Sequence, residues 1–211
     1  MGDLVKYKAN DGVEITLTLD FVRDIIAGGQ KVPDSELYGF MAKCQARRLN
    51  PLAGDAYLTV YGGKATVTVS KDYWLRTAAA QPTFDGFKAG VVVVTADGAM
   101  VYREGCIVGR QTEKLVGAWA EVYDKNRRVP IRAEVSRAEY DQGHSLWKTK
   151  PATMLRKVAL VQALREAYPN VYGGLYDEDE MPAPDAPAAP ITVEPDVIEG
   201  EPEEPVADEE E

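Results

Sequence analysis

The sequence is poor in the residues from which most catalytic and metal sites are built. It has two cysteines, Cys44 and Cys106, and a single histidine, His144. Two distant cysteines do not support a disulfide framework or a CxxC-type zinc site, and one histidine cannot form a histidine cluster for zinc. Gly-x-Ser-x-Gly and Walker motifs are also absent. We therefore expect a protein that is not an enzyme, with no catalytic residues, no metal site and no cofactor; Mg²⁺ can assist but is not required.

Long hydrophobic segments are missing as well. No apolar run approaches the roughly 20 residues that a membrane-spanning helix needs. The first residues, Met-Gly-Asp-Leu-Val-Lys-Tyr-Lys, lack the apolar region of a signal peptide. Lys6 stands where the N-myristoylation pattern requires Ser or Thr. These absences predict a cytoplasmic protein with no membrane partner.

Basic residues are absent from the last part of the chain. The sequence has 34 acidic and 24 basic residues, but residues 177–211 contain 15 of the acids and none of the bases. Residues 1–176 therefore hold 19 acids against 24 bases, a net charge of +5. Beyond Met181 the composition shifts to Pro, Ala, Glu and Asp, which bury too little apolar surface to offset the entropy of ordering. We predict a folded core over residues 1–180, basic enough to bind a polyanion, and a disordered acidic tail over 181–211.

Helical and strand patterns are interspersed along the core. Period-two stretches between turn residues indicate strands, and apolar residues spaced three to four apart behind a capping residue indicate helices. The predicted helices are 19–26 with Thr18 as N-cap, a segment from 33 to before Asn50, 72–79 after Ser70, a short helix after Ser136 and a long helix from Pro151. The predicted strands are 56–61, 65–69, 90–95, 100–108, 115–123 and 129–135, with hairpin turns at Gly62-Gly63 and Asp97-Gly98.

The segment Trp147–Pro169 is the most informative part of the chain. Pro151 suits the first turn of a helix, where a missing N–H costs nothing. Apolar residues follow at helical spacing: Met154, Leu155, Val158, Val161 and Leu164. Polar residues share the same helix: Arg156, Lys157, Gln162 and Arg165. A buried cation is costly unless an anion meets it, so two interpretations stay open. In the first, this is a core helix whose cations reach solvent or form salt bridges. In the second, the helix presents its cations to an anionic ligand.

Aromatic residues lie beside cations at two places. Tyr73 and Trp74 lie beside Lys71 and Arg76, and Lys148 and Lys150 follow a second tryptophan. Rings that stack on bases, next to cations that neutralise phosphates, are typical of single-stranded nucleic-acid binding. A tryptophan in the core is the alternative interpretation of Trp74.

Two charge runs have simpler interpretations. Arg127 and Arg128 lie at a predicted hairpin tip, where a solvated turn is the first interpretation and a phosphate contact the second. Asp177–Glu180 could hold a divalent cation. Because these acids begin the acidic tail, a solvated run is the favoured interpretation.

Several short motifs occur in a fixed order along the core. They are Leu49–Leu52, followed by a strand and Tyr61–Lys64; Asp72, Trp74 and Arg76; Phe84–Gly86; Trp147, Pro151, Met154–Arg156, Ala159, Gln162 and Arg165; and Gly174–Glu178. No single motif is diagnostic, since Asn-Pro and Gly-Gly are common in turns. Together, over about residues 17–180, they resemble the phage single-strand annealing proteins of the Bet (lambda Redβ) and RecT group.

This resemblance implies an α+β fold, a mixed and mainly antiparallel sheet with packed helices. It also implies ATP-independent annealing of single-stranded DNA in phage homologous recombination, in the cytoplasm of a bacterial host. The implied partners are single-stranded DNA and the annealed duplex intermediate, further copies of the chain in a ring or helical filament with a shared basic groove, a phage 5′–3′ exonuclease and the host single-strand-binding protein.

The resemblance also implies which residues contact DNA. Arg156, Gln162 and Arg165 match polar positions of the lambda-type motif, and Lys157 matches the second lysine of the RecT-type motif. With the cation-rich stretches above, the predicted DNA-binding residues are Arg156, Lys157, Gln162, Arg165, Lys148, Lys150, Lys71, Arg76, Trp74, Arg127 and Arg128.

The chain departs from the lambda-type pattern in two respects. Ala152, Thr153 and Val158 stand where that pattern has basic residues, and we expect Lys148 and Lys150 to supply the missing charge. The lambda-type protein continues into a folded C-terminal domain for partner binding, whereas an acidic tail follows the core here.

Two alternative functions remain: a protein that binds and protects single strands without annealing them, and a Mg²⁺-dependent nuclease that uses Asp177–Glu180.

Overall fold

The structure is a computed structural model that describes residues 4–28, 30–61, 64–109, 111–143 and 145–176. The predicted tail, the acids Asp177–Glu180, the Gly62-Gly63 turn and His144 lie outside these residues. The elements are β1 (Leu4–Lys8), β2 (Glu14–Thr18), α1 (Leu19–Phe21), which continues as a π-helical turn over Val22–Ile26, α2 (Asp34–Arg47), a 3₁₀ turn over Pro51–Ala53, β3 (Ala56–Tyr61), β4 (Lys64–Val69), α3 (Lys71–Ala79), β5 (Phe84–Thr95), β6 (Met100–Glu104), β7 (Glu113–Asp124), β8 (Ile131–Ser136), α4 (Arg137–Tyr140), α5 (Ser145–Thr149), α6 (Pro151–Ala167) and α7 (Pro169–Tyr172).

Four antiparallel strands form the central sheet, in the order β6-β5-β7-β8. The two long strands, β5 and β7, lie in the middle, with a shift of register between Val92 and Val93. Two further hairpins, β1–β2 and β3–β4, precede this sheet in the chain. α6 contacts β5, β7 and β8. The structure confirms the prediction of an α+β fold with mainly antiparallel strands and packed helices.

The contact between α6 and the sheet is made possible by small residues on both surfaces. Ala159 and Ala163 of α6 are fully buried, and so are Ala118 and Ala120 of β7. Small side chains let the helix and the sheet approach closely, so that the larger apolar residues interdigitate around them. All the apolar positions predicted for this helix are buried: Met154, Leu155, Val158, Val161 and Leu164. α6 is therefore a core helix, and its polar side chains emerge at the margins of a buried element.

Several local predictions are confirmed, and others need correction. The predicted N-caps Thr18, Ser70 and Ser136 each accept a backbone N–H bond at 3.2 Å. β6 ends at Glu104 instead of Val108, because Gly105 takes up a left-handed conformation with φ of +79°. The hairpin β1–β2 and the short helix α5 were not predicted.

The residues that follow α6 are fixed to the N-terminal half of the protein. The guanidinium of Arg47 donates to the backbone carbonyls of residues 170, 171 and 173. The buried hydroxyl of Tyr172 donates to the carbonyl of Trp74 at 2.6 Å, and the N–H of Val69 donates to the carbonyl of Tyr176 at 2.9 Å. Tyr172, just before the Gly174–Glu178 motif, therefore holds this part of the chain against α3, and Tyr176 within the motif holds it against β4.

The two cysteines differ in burial, which gives a prediction about thiol reactivity. Cys44 is fully buried in α2, and burial raises the pKa of its thiol to about 12, whereas Cys106 is half-buried. Because the thiolate is the reactive species, we expect a maleimide at neutral pH to modify Cys106 in the native protein and Cys44 only after unfolding. Peptide mass spectrometry measures both rates. Equal modification of the two thiols in the native state would contradict this burial.

Candidate nucleic-acid interface

A groove of about 630 Å³ lies where α6 begins. Its lining comes from the start of β7, from α4, and from the junction between α5 and α6. Four cations line it, and we call it the lysine groove: Lys114, Arg137, Lys148 and Lys150. Its volume lies within the range of about 300–1,000 Å³ that is typical of small-ligand sites.

Local packing explains why the lysines of this segment face outward. Trp147 is 2% exposed and anchors α5 in the core. Pro151 then begins α6, and Lys150 lies between the two helices. With the tryptophan directed inward, Lys148 and Lys150 are exposed at the rim of the groove. The structure therefore brings together two of the predicted DNA contacts.

The lysine groove carries a net positive charge. Its carboxylate, Glu113, accepts bonds from the guanidinium of Arg103 and from the N–H of Gly109 at 2.8 Å. Arg137 forms an ion pair with Asp141 at 2.8 Å. The three lysines are exposed and form no ion pair with the acidic residues that the structure describes. The groove thus offers its lysine charges to an anion.

Arg156 lies on the side of α6 that faces β5. Its Nε donates to the carbonyl of Ala89 at 3.1 Å, and its guanidinium lies 6.0 Å from the ring centroid of Phe87. The side chain is half-buried. These contacts fix the orientation of Arg156 without an anionic partner from a described acidic residue.

The other polar residues of α6 make contacts within the protein. Gln162 donates to the hydroxyl of Tyr140. Arg165 donates to the carbonyl of Leu175 at 3.3 Å, and its guanidinium lies 5.4 Å from the ring centroid of Tyr176. Lys157 is half-buried and also interacts within the protein. These contacts give Gln162 and Arg165 structural roles, so their part in DNA binding stays a prediction.

The structure changes the interpretation of Trp74. Its side chain is 0% exposed, and its ring centroid lies 4.6 Å from that of Tyr172. A ring enclosed on all sides has no face on which a base could stack. Trp74 is therefore a core residue in this fold, and the predicted base-stacking role is not supported.

The remaining predicted contacts lie apart from the lysine groove. Arg76 forms an ion pair with the buried carboxylate of Asp55, so it has an anionic partner within the protein. Lys71 is exposed at the first position of α3. Arg127 donates to the carbonyl of Ala167, at the far end of α6, and Arg128 is exposed beside it. At 1.5 Å per residue, the two ends of α6 are roughly 24 Å apart, so the predicted residues do not form one cluster.

On the opposite face of the central sheet, Arg132 is paired with carboxylates. The guanidinium of Arg132 lies about 5 Å from the rings of Tyr102 and Trp119, and it forms ion pairs with Glu121 and Glu134 at 2.7 and 2.8 Å. Hydrogen bonds from the hydroxyl of a neighbouring tyrosine and from Arg132 lower the pKa of Glu121, so the carboxylate stays charged. This face therefore attracts a polyanion far less than the lysine groove does.

Some absences can be stated for the described residues. No cluster of three or more His, Cys, Asp or Glu side chains suitable for a metal ion occurs among them. Within the same part of the chain, no helix has both the length and the apolar character needed to cross a membrane.

An α+β fold with a cation-lined groove, and with a sheet face whose arginine is paired with carboxylates, defines a protein suited to binding a polyanion. The chain belongs to the RecT family, whose model matches residues 16–193. The resemblance inferred from the sequence motifs is confirmed.

The chain is also similar to the uncharacterized protein UU154 of Ureaplasma parvum serovar 3. The two are 31% identical over 137 residues, which cover 58% of this chain and 49% of the relative. The chain thus spans about half the length of the curated relative that it matches.

Proposed function

We propose that this protein binds single-stranded DNA through the lysine groove and the adjoining margin of α6, and that it pairs complementary strands without ATP. The observation that carries the proposal is that Lys148 and Lys150 line one groove, whose carboxylate already has its own partners within the protein. Arg156, next along α6, extends the cationic surface toward β5. Membership of the RecT family supports single-stranded DNA as the ligand.

In this proposal the protein acts by arranging strands and not by breaking or forming covalent bonds. Lysine side chains neutralise phosphates, which lowers the repulsion between two strands. Contacts to the backbone leave the base edges accessible, so that Watson–Crick pairing selects the partner strand. The protein is therefore expected to tolerate any DNA sequence and to release the duplex once its bases are paired.

The proposal extends to partners that belong with such an activity. Several copies of the chain, in a ring or a filament, would place their grooves along one strand and hold it extended. A 5′–3′ exonuclease would supply the single strand, and the host single-strand-binding protein would compete for it. Mg²⁺ is not required for the annealing step.

Binding is expected to weaken steeply as salt increases. Each phosphate contact on a single strand contributes about 0.7 to the slope of log affinity against log salt, so contacts at Lys148 and Lys150 alone give a slope of at least about −1.4. Fluorescence anisotropy of a labelled oligo-dT across a series of NaCl concentrations measures this slope. An affinity that does not change with salt would rule out phosphate neutralisation as the source of binding.

One assay separates annealing from the two alternative functions. Complementary labelled oligonucleotides are mixed with the protein in the absence of ATP, with Mg²⁺ and with a chelator. The proposal predicts faster pairing in both conditions. Binding without faster pairing would indicate a strand-protecting protein, and Mg²⁺-dependent loss of the strands would indicate a nuclease.

A further inference from the structure

Lys114 lines the lysine groove although nothing in the neighbouring sequence marks it as a DNA contact. It is exposed at the start of β7, paired in register with Val94 of β5. The groove brings it together with Lys148, Lys150 and Thr153, which follow it by more than thirty residues in the chain. Residues from the start of β7 and from the first turn of α6 both line this groove, and the two elements are in contact.

The structure also shows where the charge missing from α6 can come from. Thr153 is exposed and lines the groove, so a cation at this position would point into the same space. Val158 is 0% exposed, so a cation there would be buried in the core of this protein. Lys114 lines the same groove from β7 and so adds a positive charge to it from another element.

We propose that Lys114 binds a DNA phosphate in the lysine groove together with Lys148 and Lys150. This inference rests on the proposed function and adds to it a contact contributed by the sheet. A phosphate held between β7 and the α5–α6 junction is approached by cations from two sides. The strand is then fixed within the groove instead of lying loosely on the surface of α6.

Variants of Lys114 test the charge in the groove. A phosphate contact that contributes about 0.7 to the slope of log affinity against log salt is worth about fivefold in affinity at 0.1 M monovalent salt. Lys114→Glu should therefore weaken oligo-dT binding by at least about fivefold. Adding Thr153→Lys to the same chain should restore most of the lost affinity, because it returns a positive charge to the same groove. A purely structural role of Lys114 would not be rescued in this way. Lys43→Glu, on the exposed side of α2, is the matched control and should leave binding unchanged.

Cys106 provides a test in the unmodified protein. Cys106 lines the same groove as Lys114, and the second cysteine, Cys44, is fully buried. Saturating oligo-dT should slow the reaction of Cys106 with maleimide at least severalfold. This readout does not depend on the folding of any variant.

The outcomes distinguish this inference from the function on which it rests. Weakened binding by Lys114→Glu, rescue by Thr153→Lys and protection of Cys106 support it. A wild-type protein that anneals strands, with Cys106 unprotected and Lys114→Glu at wild-type affinity, overturns the inference and leaves the proposed function standing. A wild-type protein that binds no single-stranded DNA overturns both.

Discussion

Replacing Lys148 and Lys150 with glutamate is expected to weaken the binding of single-stranded DNA at least about 25-fold in 0.1 M monovalent salt. Each lost phosphate contact is worth about fivefold under these conditions, and the reversed charges add repulsion. Strand annealing should fall in parallel, because it depends on the bound strand. Both side chains are exposed, so the fold should be retained. Anisotropy with labelled oligo-dT measures the affinity, and thermal unfolding checks the fold.

Lys43→Glu combined with Lys31→Glu provides the control for net charge. Both lysines are exposed and lie outside the lysine groove. The control changes the total charge by the same amount, so a general electrostatic effect would weaken binding equally in both double variants. Equal losses, or wild-type affinity in Lys148→Glu/Lys150→Glu, would show that the groove is not the binding site.

Replacing Trp74 with alanine is expected to lower the free energy of unfolding by about 3–5 kcal/mol, the usual cost of removing a large buried aromatic side chain. Trp74 is fully buried and packs on Tyr172, whose hydroxyl is bonded to the Trp74 carbonyl. Losing the indole therefore leaves a cavity where the C-terminal residues are attached to α3. Urea denaturation followed by circular dichroism measures the loss.

Trp74→Phe separates packing from a role in base stacking. Phenylalanine keeps an aromatic ring against Tyr172, so this variant should retain most of the stability and bind oligo-dT within about twofold of the wild type. The indole Nε1 has no hydrogen-bond partner among the described residues, so no polar contact is lost. A stable Trp74→Phe variant with a large loss of affinity would return Trp74 to the DNA interface.

The local elements could largely be predicted because their signals lie within a few residues. The N-caps Thr18, Ser70 and Ser136 and the apolar spacing of α6 each identify an element without knowledge of the rest of the fold. β1 was missed because it is only half-buried and its alternation is weak. α5 was missed because five residues give no usable helical period.

The site could be predicted only in part, because it is formed by residues that are distant in the chain. Lys148 and Lys150 were found from their position beside a tryptophan and a helix-opening proline. Lys114 was not, because its place in the groove depends on the pairing of β7 with β5 and on the packing of α6. Arg76 matched the expected pattern but is paired with Asp55, a partner twenty-one residues earlier in the chain that no local spacing reveals.

The most direct test of the central claim is to map where a single strand touches the protein. Photo-crosslinking of wild-type protein to oligo-dT, followed by digestion and mass spectrometry, identifies the contacting peptides. The account predicts crosslinks in peptides around Cys106–Lys114 and Lys148–Thr153, both of which contribute residues to the lining of the lysine groove. Crosslinks confined to the opposite face of the sheet, around Tyr102 and Trp119, would contradict it.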